Sequence, residues 1–129
     1  MLIKRLIVPE RVRTVPAQFS WVDQRLVRER HIERCDAHAA ALYLFLVTVA
    51  DAQGLSYYAE ASAARYVSMP TERLRQARAD LIHAGLIAYA PPLYQVLSLD
   101  TPAHEALELS AERRRAHLAR LRQVLGRQP

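Results

Sequence analysis

Few residues in this sequence have the type and spacing for chemistry. His31, Cys35 and His38 are four and three positions apart, which on one unbroken helix would set two imidazoles and a thiol on one face, as metal ligands are set. Asp36 interrupts them as a helix start and no fourth ligand is evident, so structural roles are expected and no metal or cofactor is assigned. Cys35 is the one cysteine, which excludes an intramolecular disulfide and a four-cysteine zinc site and points to a reducing compartment. No Ser/His/Asp grouping, glycine-rich phosphate loop or pair of carboxylates stands at telling spacing, and an enzyme is not expected. What remains is arginine. Of 18 basic residues only Lys4 is a lysine, leaving 17 guanidinium forks of a shape that suits phosphates and base edges. A GC-rich genome also enriches arginine, alanine and leucine and accounts for the bias itself, so the positions of the arginines are more informative than their number.

The chain has 129 residues, 51% hydrophobic and 24% charged, with three glycines and a formal charge of +5. This is the length of one domain with a single core and one or two appended helices, and the composition is neither disordered nor low-complexity. Residues 1–34 carry +4, residues 35–100 carry −2 and residues 101–129 carry +3. The basic character therefore lies in the flanks. The apolar residues before Pro9 are broken by Lys4 and Arg5, unlike a signal peptide, and the longest apolar block, 37–50, is too short to span a bilayer. A cytoplasmic protein with no membrane partner is expected.

The elements that must position these side chains follow from periodicity. Residues 1–18 read as an extended arm interrupted by Pro9 and Pro16, with a short strand near Leu2–Val8. A short basic helix begins at Ser20, which caps it, and carries Trp21, Val22, Leu26 and Val27 as its stripe. Asp36 then caps a helix through Ala50 that is apolar on nearly every face and belongs at the centre of the domain, ending at a turn where Gly54 is left-handed. Leu55–Tyr58 is a strand candidate and residues 60–67 a helix. Ser68-Met69-Pro70 breaks that helix before another over Thr71–Ala84, whose Leu74, Ala77, Leu81 and Ile82 form one buried stripe. After Gly85, residues 86–90 and 93–99 form a hairpin with Pro91-Pro92 at its tip. Thr101-Pro102 opens a last helix toward Leu125.

Helix, short strand, helix, tight turn, helix ending in Gly-Leu-Ile and hairpin is an order that resembles the bacterial winged helix-turn-helix family over residues 36–100, half the chain. The stretch from Leu74 through Arg75, Gln76, Ala77 and Arg78 to Gly85-Leu86-Ile87 is similar to a recognition helix and the entry to a wing. The resemblance implies a mainly α fold with a small antiparallel β-hairpin, extended by an N-terminal arm and helix (1–35) and a C-terminal helix (101–129). It also implies that the helix after the turn enters the major groove of double-stranded DNA, with Thr71, Arg73, Arg75 and Gln76 facing base edges or phosphates and Arg78 near the backbone. The plain alternative is a solvated polar face. Two departures stand out: Ser68 occupies a turn position where glycine is common, and residues 86–100 contain no lysine or arginine. The second points away from phosphate contact by the hairpin.

Lys4, Arg5, Arg11 and Arg13 in the arm suit phosphates or a minor groove, or are simply solvated. Arg25, Arg28, Arg30 and Arg34 interleave with Glu29 and Glu33 and suggest intrahelical ion pairs. In the last helix Leu118, Leu121 and Leu125 are spaced for a homodimer or for packing on the domain, and Arg113 and Arg114 lie on the polar side with Arg115, Arg120 and Arg122. The expected function is sequence-specific DNA binding, by a small transcriptional regulator or a mobile-element protein that acts by occupying its site. The alternative is an interaction module in a replication, transposition or phage-related complex, with a protein partner docked at Tyr89 and Tyr94 of the hairpin.

Overall fold

The computed structural model describes residues 2–100, 114–116, 118–120 and 122. It is a mixed α/β fold of helices and one three-stranded antiparallel sheet. Its elements are α1 (Arg25–Arg28), α2 (Ala37–Val49), β1 (Leu55–Tyr57), α3 (Glu60–Tyr66), α4 (Thr71–His83), β2 (Ile87–Ala90) and β3 (Leu93–Val96), with 3-10 turns at Pro9–Arg11 and His31–Arg34. Residues 114–116, 118–120 and 122 are helical and exposed.

α2 starts where its cap dictates. Asp36 is extended, and one carboxylate oxygen accepts the Ala39 amide proton at 2.8 Å, satisfying a donor that the first turn leaves open. Although its sequence is apolar all round, α2 buries one side only. Ala39, Leu42, Tyr43, Leu46 and Val47 face the core, whereas Leu44 is 61% exposed. The helix stops at Val49, and Gly54 (φ +86°) serves the turn into β1 rather than the helix end. In that turn an Asp51 carboxylate oxygen accepts from the amides of Gln53 and Leu55. A Cβ on Gly54 would lie 2.6 Å from the Val96 carbonyl oxygen, so both the turn and the approach of β3 require glycine here.

β3 is the central strand. β1 pairs with it in the register Leu55–Gln95, Ser56–Tyr94 and Tyr57–Leu93, and β2 pairs with it from Ile87–Val96 to Ala90–Leu93. The expected hairpin is thus completed to a sheet by the strand before α3. α4 packs on α2, α3 and β2. Leu74, Ala77 and Leu81 are its buried stripe, as their spacing predicts, and Leu42, Leu46, Leu86, Ile87 and Tyr94 complete the core around them.

The N-terminal segment departs from the reading of the sequence. No strand forms over residues 2–8, and every residue from 2 to 22 is exposed. The helix expected from Ser20 is reduced to the single turn of α1, in which only Leu26 is buried. Ser20 caps nothing. Its hydroxyl donates to the Thr48 carbonyl at 2.8 Å and tacks the arm to the end of α2. Arg25 binds Asp23 and Asp100 instead of a helical neighbour, Arg34 reaches the Ala84 carbonyl, and Arg30–Glu33 is an ion pair within the segment. Local periodicity set up a helix that the segment's long-range partners, Thr48, Asp100 and Ala84, did not sustain. No described helix is long and apolar enough to cross a membrane.

Candidate nucleic-acid interface

The turn between α3 and α4 sets the exposure of the candidate residues. Ser68 adopts φ +58°, the left-handed conformation for which glycine is better suited, and Pro70 precedes the first residue of α4 with its fixed φ. α4 therefore leaves the turn with Leu74, Ala77 and Leu81 inward and Glu72, Arg75, Gln76, Ala79, Asp80 and His83 exposed.

The three arginines of α4 differ sharply in what they hold. Arg73 donates through Nη2 to the second Asp36 carboxylate oxygen at 2.6 Å and lies 3.0 Å from His38 Nδ1, while its Nη1 donates to Gln76 Oε1. Asp36 thus caps α2 with one oxygen and fastens α4 with the other. The Ala39 amide, and then Arg73, hold its carboxyl below the usual range. Arg73 is a strut between two helices, and Gln76 is its partner.

Arg78 points inward. Its side chain is 13% exposed, its guanidinium carbon sits 4.2 Å from the centre of the Tyr89 ring, and it donates to the Tyr94 hydroxyl at 3.3 Å and to Glu60 at 2.8 Å. Burial lowers its pKa, but the hydrogen bonds to Tyr94 and Glu60 outweigh this and leave it raised. Tyr89 and Tyr94 pack with ring centres 4.5 Å apart and ring planes tilted by 35°, and Tyr94 is fully buried. The hairpin tyrosines expected to meet a protein partner are therefore engaged in joining α4 to the sheet.

Arg75 is different. It is the most exposed of the three, and it binds Glu60 through Nε and Nη2 at 2.9–3.2 Å, which is the side-on edge of the guanidinium. The end-on edge, formed by Nη1 and the second Nη2 hydrogen, is left open to an outside acceptor among the described contacts. Glu60, at the start of α3, is thus shared by Arg75 and Arg78. Their hydrogen bonds, Arg75 first, pull its carboxyl down to about 2, so it is ionised at any working pH.

Glu60 was not singled out by its sequence, because its partners lie 15 and 18 positions away and no local spacing announces them. Lys4, Arg5, Arg11 and Arg13 are exposed along the arm, and Arg114 is exposed; Arg113 lies outside the described residues, as do Leu121 and Leu125 of the expected dimer helix. Leu118 of that set is 51% exposed. His31 belongs to a 3-10 turn, Cys35 is extended and His38 is in α2, so the three share no helix face; among the described residues no three His, Cys, Asp or Glu side chains form a metal-binding group. Comparison with protein-family models, with curated proteins and with solved structures found no match to this chain.

Proposed function

We propose that this chain is a winged helix-turn-helix protein that binds double-stranded DNA site-specifically, with α4 in the major groove and the β2–β3 hairpin as a wing that adds little affinity. The observation that carries the reading is the state of Arg75. Its side-on edge is fixed by Glu60, Glu60 is fixed by Arg78, and the remaining edge faces solvent from an exposed helix. An arginine held in this way has lost much of its rotamer freedom before it meets a ligand. It is prepared to donate two parallel hydrogen bonds, as O6 and N7 of guanine require.

In this scheme the arginines of α4 have separate tasks. Arg75 reads a base, Arg73 and Asp36 set the angle of α4 on α2, and Arg78 joins α4 to the sheet. Gln76 accepts from Arg73 and keeps its amide N–H groups for a base acceptor or a phosphate. Thr71, half-buried at the first position of α4, is assigned a backbone phosphate in this reading. Because the hairpin carries no cation, the bulk of the phosphate affinity comes from the flanks, including Arg11 and Arg13 of the arm. The protein acts by occupying its site, as a regulator or as the DNA-binding component of a mobile element. Selection of duplexes from a random pool tests the proposal: it requires enrichment of a motif containing guanine, with binding that weakens linearly in log salt. A pool that yields no enriched duplex overturns it.

A further inference from the structure

The arm joins the body of the chain at Phe19–Trp21, and the surface of residues 2–18 ahead of that junction complements a cleft of the body. Between residues 2 and 22, ten large apolar side chains are 48–100% exposed, among them Leu2, Ile3, Leu6 and Ile7. At about 60–120 Å² of apolar surface for each fully exposed side chain, and weighted by their exposure, they present roughly 400–800 Å². A monomer's largest apolar patch is roughly 300–600 Å², while one side of a standard interface is about 800 Å². The upper part of that range reaches one side of an interface, and among the described residues the arm leaves this surface exposed.

The receiving surface is a cleft of about 600 Å³ between Phe19–Trp21 and the ends of α2 and β3. Its walls include Trp21, Tyr43, Val47 and Leu99, and its charged lining is Asp23, Asp51 and Asp100 against the single cation Arg25. Arg25 is already held by Asp23 and Asp100, which raise its pKa, so the cleft carries a net formal charge of −2. The arm matches it in both respects. Leu2-Ile3-Lys4-Arg5-Leu6-Ile7 places two cations between two apolar pairs, and residues 1–22 carry +3 against −2 for residues 35–100.

We propose that this cleft receives the N-terminal arm of a second copy of the chain, so that two protomers exchange arms about a twofold axis. Leu2, Ile3, Leu6 and Ile7 lie against the aromatic and aliphatic walls, and Lys4 and Arg5 face the carboxylates. Extended at about 3.3 Å per residue, residues 2–18 span roughly 55 Å, enough to reach from one body to the cleft of another. Exchange of an identical element is a low-cost route to a closed dimer. It leaves Arg11 and Arg13, farther along the arm, free of the cleft. The inference concerns self-association and stands apart from the DNA reading.

The test uses the full chain and its one tryptophan, Trp21, which is on the cleft wall. Sedimentation velocity across 1–100 μM, without DNA, is expected to show a dimer, and Ile3→Asp/Ile7→Asp to sediment as a monomer with an unchanged far-ultraviolet spectrum. A synthetic peptide of residues 1–9 is expected to dissociate the unmodified dimer. On the monomeric variant it should shift Trp21 emission saturably to the blue. A full chain that is monomeric at 100 μM overturns the proposal, including the case in which Ile3→Asp/Ile7→Asp alters Trp21 emission and the arm thus occupies its own cleft. A dimer that persists in that variant, or that excess peptide leaves intact, assigns association to another surface and equally overturns it.

Discussion

Replacing Arg75 by alanine separates a base-reading arginine from a solvated one. Glu60 occupies Nε and one Nη2 hydrogen, so the free end-on edge supplies two donors, the number a guanine accepts in the major groove. A bidentate contact of this kind discriminates by about 5- to 150-fold. Arg75→Ala is therefore expected to weaken binding to the selected duplex by a factor in that range. It should weaken binding to a random duplex far less, and so lose preference at one base pair of the site. Arg75→Lys keeps the charge but offers no fork, and it should restore phosphate-type affinity without the preference. Fluorescence anisotropy at one fixed salt concentration, with the selected duplex and a version substituted at the guanine, measures both quantities. Because Arg75 is exposed and bonds only to Glu60, the variants should fold normally. Equal affinities and preferences for Arg75→Ala and the unmodified protein would refute the assignment of α4 as the reading helix.

Three further outcomes follow from the same contacts. The Glu60 carboxyl is lowered from an ordinary value of about 4.5 to about 2; a group lowered on folding contributes stability that is complete above its unfolded value and is lost as pH falls toward the folded one. Acid titration by circular dichroism should accordingly show stability falling between pH 4.5 and 2, with a shallower fall in Glu60→Gln. Tyr94 is fully buried, so Tyr94→Ala should cost about 3–5 kcal/mol in urea unfolding, whereas Tyr94→Phe removes only the long hydrogen bond from Arg78 and should cost about 1 kcal/mol. Arg11→Ala/Arg13→Ala should reduce the slope of log affinity against log salt by about 1.8 if both cations meet phosphates, and leave base preference unchanged.

The parts of this fold that local rules govern were legible in the sequence. Asp36 caps α2, Gly85 takes φ +75° at the exit from α4, and Leu74, Ala77 and Leu81 are buried where the helical period puts them. Ser68 shows why residue type alone misleads: the turn between α3 and α4 is left-handed at a residue without glycine's freedom. The apolar run of α2 overstated its burial, because among the described residues no element covers its second side and Leu44 is exposed. Ser20 looked like a cap but bonds the far end of another helix, and Trp21 and Val22 show a helical stripe in a segment that does not become a helix. The candidate interface was legible by residue type and not by role. Arg73, Arg75 and Arg78 share one helix, yet their tasks are fixed by Asp36, Glu60, Tyr89 and Tyr94, which lie 11 to 37 positions away in folded contacts that no periodicity encodes, apart from the local bond to Gln76.

Methylation interference on the selected duplex tests the central claim most directly, because N7 of guanine lies in the major groove and N3 of adenine in the minor groove. With Arg75 donating to O6 and N7, methylation at N7 of a guanine in the site should block binding of the unmodified protein. The same lesion should make little difference to the already weakened Arg75→Ala variant. Insensitivity to N7 methylation at every guanine of the site, with interference confined to N3 of adenine, would contradict entry of α4 into the major groove.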